Sequence, residues 1–300
     1  MPQGTEISRK NFRRHGNGVM IPFMALANGK IKEKEMQRAL PAALSFLDPA
    51  VVDDLRRYGN TGDGGYVLPA SCVARCDAVI SFGLSDNWTL EEELLRHRPG
   101  IVIHAYDYTV SKRFFRRRVV RELERLLQFK STVAKLSDRI RAYRSYNAVF
   151  SGHSRHFEQR VYNRIEAPYD VTIDQVFSGL AGKMHIFLKM DIEGGEYRVI
   201  PQILKHADRV DLMTIEFHDT EPLRDIFVKQ VKTILGPFEI VHIHANNAGG
   251  VGADGLPEIL EITFLNRKFV TATRRRGRLP LAGLDFPNDP AKPELPLIFR

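Results

Sequence analysis

The chain has 300 residues, 43% hydrophobic and 27% charged, enough for one large globular domain or two small ones, and no run reaches the ~20 apolar residues of a membrane-spanning helix. Two cysteines, Cys72 and Cys76, are too few for a disulfide framework or a four-ligand zinc site, and their spacing is not CxxC, so reduced thiols in a cytoplasmic protein are expected. The net charge of +8 and pI of about 9.5 fit an anionic partner such as nucleic acid, phospholipid, lipopolysaccharide or sugar phosphate.

Residues 1–45 read as a basic, then weakly helical extension. Its apolar stretch VMIPFMALA follows basic residues as in a signal peptide, but Pro22 and the long polar lead argue against export. RYGNTGDGGYVLP is a turn-rich lead into a short strand. From 46 to 273 strands and helices alternate, which predicts a parallel sheet with helices on both faces. AVISFGLSDN (78–87) and IVIHAYDYT (101–109) are the first two strands, with the helix TLEEELLRHR (89–98) between them. One or two helices follow in a basic insertion at about 111–146, where Phe115, Val119, Leu123 and Leu126 recur at helical spacing.

NAVFSGHS is the candidate third strand and VTIDQVFSGL a short helix. MHIFLKMDI (184–192) and VDLMTIEFHD (210–219) are the fourth and fifth strands. The helix EYRVIPQILKHA lies between them, with Pro201 kinking it or marking its first turn. EPLRDIFVKQVKTIL is a helix. FEIVHIHANN (238–247) and PEILEITFLNR (257–267), joined by a glycine-rich loop, are an antiparallel pair. The basic, Pro-rich tail 274–300 reads as extended or disordered.

Strand interiors are nearly pure Ile, Leu, Val and Phe, and the polar residues gather at one end. Ligands of open α/β sheets bind beyond the carboxyl ends of the strands. Those ends carry Gly83, Ser85 and Asp86; Asp107; Asp191 and Glu193; Glu216, His218 and Asp219; and His244, Asn246 and Asn247. Asp191 shares a face with Glu193, and Glu216 with His218. The plain alternative is a strand-to-helix turn whose acids cap the next helix.

LKMDIEGGEYRVI resembles the fourth-strand signature of FkbM-like S-adenosylmethionine-dependent methyltransferases. RYGNTGDGGYVLP, SFGLSDNWTLEEEL, AYDYT and HIHANNAG…LPEILEITFLNR resemble further blocks of one subgroup, in the same order, over roughly residues 55–267. The resemblance implies a Rossmann-like class I methyltransferase fold: a mostly parallel seven-stranded sheet with an antiparallel strand near the edge, here with a helical insertion. It also implies O-methylation, often of a sugar in a glycan or natural product.

Carried over by position, it implies that Phe82, Gly83, Leu84 and Ser85 form the cofactor loop, where glycine lets backbone approach adenosylmethionine. It likewise implies that Asp107 accepts the ribose hydroxyls and that Asp191 and Glu193 sit at the reacting centre. Only one glycine follows the first strand, where many methyltransferases have several.

Methyl transfer to oxygen needs alignment and loss of the acceptor's proton. His218 is the first candidate for the base, beside Glu216; a satisfied structural histidine is the alternative. Asp191, Glu216 and His218 also offer a set for a divalent cation, Mg or Mn. His244, Asn246, Asn247 and the sole tryptophan, Trp88, are candidate acceptor contacts, with packing and turn roles as alternatives.

The expected acceptor is a saccharide or other anionic molecule, with peripheral contact to a membrane or lipid-linked glycan through the basic helices. A nucleic-acid methyltransferase is the first rival, disfavoured because no aromatic-flanked NPPY-like segment follows the fourth strand. A non-catalytic methyltransferase-fold binding module is the second. A nicotinamide dehydrogenase lacks its GxGxxG loop.

Overall fold

Long apolar runs make strands that tolerate burial on both faces, and that is where this chain puts its centre. The computed structural model describes residues 39–271 and 274–300; most of the N-terminal extension, including VMIPFMALA, lies outside them. The central sheet holds β1 (Ala78–Phe82), β2 (Val102–Tyr106), β3 (Arg155–Phe157), β4 (Ile186–Met190), β5 (Val210–Phe217), β6 (Phe238–Ala245) and β7 (Leu260–Asn266). Their order is β6–β7–β5–β4–β1–β2–β3. The pairs β1–β2, β1–β4, β2–β3 and β4–β5 are parallel, and β7 runs antiparallel to both β5 and β6. This is the mostly parallel, Rossmann-like seven-stranded sheet that the resemblance implies, with the expected antiparallel strand inserted next to the edge.

Alternation along each strand sorts the two faces. Ile80, Phe82, Leu188, Met190, Met213 and Ile215 join the larger core. It also takes in residues of α5 (Ile173–Ser178), α6 (Glu196–Ile203) and α7 (Arg224–Ile234). Val79, Ile103, Phe187 and Leu212 face the other way. They pack on the hairpin Leu55–Gly59/Gly65–Pro69, α1 (Ala70–Arg75) and α2 (Thr89–His97).

The basic insertion is two helices, α3 (Lys112–Leu127) and α4 (Val133–Val149), each capped by a hydroxyl: Ser111 accepts from Phe114 N and Thr132 from Lys135 N. The third strand is not NAVFSGHS. Asn147–Val149 complete α4, with Asn147 Nδ2 donating to Tyr143 O and Val149 buried, so the helical pattern continues past the expected break.

Pro201 sits late in α6 rather than in its first turn. It has no N–H for Tyr197 O, and Gln230 Nε2 from α7 supplies the donor at 3.2 Å. The tail is extended and packed: Leu279, Leu297 and Phe299 join the larger core. Its prolines give no N–H groups, but Asn247 binds the carbonyls of Asp289, Lys292 and Pro293.

Candidate active site

The strand order turns at β1. From there the chain builds outward to β2 and β3 on one side and to β4 and β5 on the other, so the crevice between β1 and β4 is the topological switch point. Tyr106, Phe82, Met190 and Ile215 stand in one row across four strands, which brings the strand ends level. Among the described residues four non-glycines have positive φ, and three lie just past this row: Ser85 after β1, Glu193 after β4 and Asp219 after β5. Such conformations are uncommon and mark places where surroundings dictate the backbone.

Gly83 is the pivot of the first loop. Its φ is +80°, and a Cβ there would lie 1.8 Å from the Asp191 carbonyl oxygen. The need for glycine is thus set by the neighbouring strand end, not only by a ligand's approach. Phe82 contributes no side chain to the mouth; it is fully buried in the core and its carbonyl accepts from Asp191 N at 3.0 Å. Leu84 is also buried, whereas Ser85 is exposed.

Asp107 closes this loop. Oδ2 accepts from Leu84 N at 2.9 Å and Ser85 N at 2.8 Å, and Oδ1 from Thr109 N at 2.7 Å and Thr109 Oγ1 at 2.5 Å. Burial pushes the carboxyl up, but the Thr109 hydroxyl and three backbone N–H groups outweigh it and hold it below the ordinary carboxylate value. A carboxylate has about four acceptor positions, and chain donors take them all. The chain itself thus supplies donors to the carboxylate where the resemblance places the ribose hydroxyls, and Asp107 shapes the loop backbone.

Four acids surround His218. Its Nδ1 lies 3.0 Å from Glu196 Oε1. Nε2 lies 3.6 Å from Glu216 Oε1, 3.8 Å from Glu193 Oε2 and 3.9 Å from Asp191 Oδ1. Burial alone would lower the imidazole pKa; the Glu196 hydrogen bond and the charges of Glu196, Glu216 and Asp191 raise it to about 9. Burial, then the charges of Asp191 and Glu261, push Glu216 well above the carboxylate range, and Asn246 Nδ2 donates to its Oε1 at 3.0 Å.

Two residues here were outside the expected set. Lys189, a cation inside a buried strand, donates to Gly83 O at 2.5 Å and lies 3.5 Å from Asp191 Oδ2. Glu196, fully buried, accepts from Ile192 N and Gly194 N besides holding His218. A charge in an apolar run was the legible signal for Lys189. That of Glu196 was only its place after two glycines.

The sequence matches the family model for the methyltransferase FkbM domain over residues 91–239. The chain carries an FkbM methyltransferase domain. That span contains Asp107, Asp191, Glu193, Glu216 and His218, while the Gly83 loop and Asn246 lie outside it. No curated protein matches the sequence. Among solved structures, that of the fibrillarin/Nop5p complex is 14% identical with a TM-score of 0.34, covering 73% of this chain and 97% of that one. Precorrin-6y C5,15-methyltransferase from Geobacter metallireducens is 11% identical at 0.33, covering 66% and 85%. An O-methyltransferase family protein from Burkholderia thailandensis is 11% identical at 0.31, covering 65% and 52%. On the match to the FkbM family model, the chain is an S-adenosylmethionine-dependent methyltransferase.

Asp191 and Glu193, partly and largely exposed, leave the mouth of this methyltransferase with two carboxylates whose charge suits a cationic donor. Asp191, Glu193 and His218 bring one ligand atom each within 4.8 Å of one another, a geometry open to a divalent cation. Glu193 rather than Glu216 completes that set; Glu216 is buried beneath it and held by Asn246. Glu196 on Nδ1 would fix the ring for ligation through Nε2.

Three expected acceptor contacts have partners within the chain. Trp88 is buried between α2 and the insertion, edge-on to Phe115 and Tyr146, with Nε1 donating to Ser145 Oγ at 2.9 Å. Asn247 binds the tail. His244 is held between Glu261 at 3.2 Å and tail residue Glu294 at 3.1 Å. Burial would lower the His244 pKa, but these two hydrogen bonds and charges raise it to about 10.

A raised histidine pKa stabilises fully below the unfolded value of 6.5 and fades as pH rises through about 10. Glu294→Gln is therefore expected to lower Tm by several degrees near pH 6.5, with the gap to wild type closing towards pH 10. Thermal unfolding across that range checks it, and a gap independent of pH would refute the charged pairing.

Proposed function

We propose that the enzyme methylates a hydroxyl oxygen of a saccharide or glycan-like acceptor, with His218 taking the hydroxyl proton, in a cytoplasmic setting. The observation that carries this reading is the placement of His218 Nε2 at the strand mouth, 3.6–3.9 Å from three carboxylates, with Nδ1 anchored on Glu196. A hydroxyl at neutral pH is a poor nucleophile until a positioned base removes its proton. The exposed acids also suit a polyhydroxylated acceptor, since carboxylates accept from neighbouring hydroxyls. Free, buried Cys72 and Cys76 support a reducing compartment.

With a pKa of about 9, His218 is protonated in the free enzyme at neutral pH. A cation arriving beside Asp191 and Glu193 neutralises charges that hold this proton and brings the imidazole towards its basic form. S-adenosylmethionine supplies the methyl group on such a cation. A divalent ion on Asp191, Glu193 and His218 is the second version of this site, supported by their convergence. In it the ion, not the imidazole, lowers the acceptor's pKa.

Methyl-labelled donor incubated with a panel of nucleotide sugars and glycans tests the reading, with the product's methylated atom assigned by NMR. Methyl on a sugar oxygen is expected. Labelling of nitrogen or carbon, or of RNA alone, would overturn it. Parallel reactions with EDTA, then with Mg²⁺ or Mn²⁺, separate the two versions: loss and rescue of turnover mark the metal form.

A further inference from the structure

Residues 111–150 hold twelve Lys and Arg against three acids, so the α3–α4 hairpin alone carries +9 while the whole chain carries +8. The remainder is nearly neutral. The hairpin is thus the most basic stretch of the chain, beside the basic N-terminal extension and tail, and its layout is uneven. Arg113, Arg116, Val120, Leu123 and Leu127 recur at three- and four-residue spacing as one exposed stripe along α3, basic at its base and apolar towards its tip. At the turn Leu127 is 71% exposed, Phe129 97% and Val133 72%.

A second row, Arg113, Arg117 and Arg121, lines a cavity of about 310 Å³ with Thr109, Ser111 and Phe114. Arg118 and Arg125 have carboxylate partners, Asp86 and Glu122. Arg113, Arg117 and Arg121 form no ion pair among the described residues.

Guanidinium groups without partners favour phosphate oxygens, which they bind in bidentate fashion. Large apolar side chains standing in water at the end of such a row are stabilised only when something apolar covers them. Nucleic acid would satisfy the arginines and leave Leu127, Phe129 and Val133 wet. A second copy packed along the stripe would place arginine against arginine if parallel, or arginine against leucine if antiparallel. A bilayer with acidic headgroups satisfies both halves: phosphates for the base of the stripe and an acyl boundary for its tip.

We propose that the α3–α4 hairpin docks the enzyme on an anionic lipid bilayer, its Leu127–Val133 tip entering the interface and its arginine row on the headgroup phosphates. The base of the arginine row lies near the strand end after β2, since Thr109, which donates to Asp107, lines the same cavity. The proposal stands independently of the acceptor's identity.

Flotation of the full-length protein with vesicles of equal parts phosphatidylcholine and phosphatidylglycerol tests it, against phosphatidylcholine vesicles and a single-stranded RNA. Binding to the mixed vesicles alone is expected. The Arg113→Gln/Arg117→Gln/Arg121→Gln variant is expected to lose affinity on the order of a hundredfold. Leu127→Ser/Phe129→Ser is expected to lose at least about tenfold. Arg113, Arg117, Arg121, Leu127 and Phe129 are exposed, so unchanged thermal unfolding shows that each variant folds.

Failure to float with acidic vesicles, or wild-type flotation of the Leu127→Ser/Phe129→Ser variant, would overturn the proposal. So would RNA binding in place of vesicle binding. A wild-type dimer that this variant splits while vesicle binding persists would reassign the stripe to a second copy.

Discussion

Replacing His218 with alanine is expected to lower kcat by about 10²–10⁴-fold with little change in S-adenosylhomocysteine affinity, as loss of a positioned base does. The ring is nearly buried and turns Nε2 to Asp191, Glu193 and Glu216, while Nδ1 is committed to Glu196. The partner variant Glu196→Gln sharpens the test. It keeps an oxygen for Ile192 N and Gly194 N but removes the charge that contributes most to holding the His218 proton.

A base works deprotonated, so kcat/KM of the free wild-type enzyme should rise with pH through about 9. In Glu196→Gln that limb should move to lower pH. The stability contributed by the His218–Glu196 contact runs the other way: it is full below 6.5 and lost as pH rises through about 9. Full turnover in His218→Ala would remove it as the base. An unmoved limb in Glu196→Gln would dissociate Glu196 from the proton.

Gly83→Ala is expected to be the most damaging small substitution near the site. Its Cβ would overlap the Asp191 carbonyl oxygen at 1.8 Å, in a backbone conformation with φ +80°. Left-handed backbone costs about 1–2 kcal/mol and overpacking about 1–3 more, so a loss of roughly 2–5 kcal/mol is expected. Relief requires the ends of β1 and β4 to part, which also displaces the loop bound by Asp107, and S-adenosylhomocysteine affinity should fall at least about tenfold.

Gly182→Ala is the matched control, with φ +78° and nothing within 4 Å of its added Cβ. It should cost only the backbone share, about 1–2 kcal/mol. Chemical denaturation and calorimetric titration of the two variants measure both quantities. Equal losses would mean that the close approach at Asp191 is dispensable.

Much of the fold was legible because its causes are local or periodic. Apolar runs such as VIHAY and IFLKM have one stable use, a strand buried on both faces. The glycine-rich loop between β6 and β7 left room only for an antiparallel return. Acids massed at strand ends marked the mouth, because charge is excluded from a doubly covered sheet. NAVFSGHS misled because its end-of-helix residues are as apolar as a short strand, and only the burial of Val149 as the last residue of α4 separates the two.

The roles within the site were less legible. Asp107 stands where a ribose ligand is expected, yet whether its oxygens are free depends on Leu84, Ser85 and Thr109 N–H groups that loop geometry turns inward. His218 and His244 look alike in sequence, each in a polar strand end. One meets four acids at the open mouth, while the other is sealed between Glu261 and a tail residue fifty positions away.

By itself, then, the sequence determined the sheet, its mixed edge, the end where its acids gather and the family to which residues 91–239 match. Only the tertiary structure decided which carboxylates surround which histidine, that Gly83 answers to Asp191, that Trp88 packs on the insertion, and that His244 and Asn247 hold the tail. The physical reason is range. Strand and helix formation follow from periodicities of a few residues, whereas a proton's affinity is set by charges within about 4–6 Å whatever their distance along the chain.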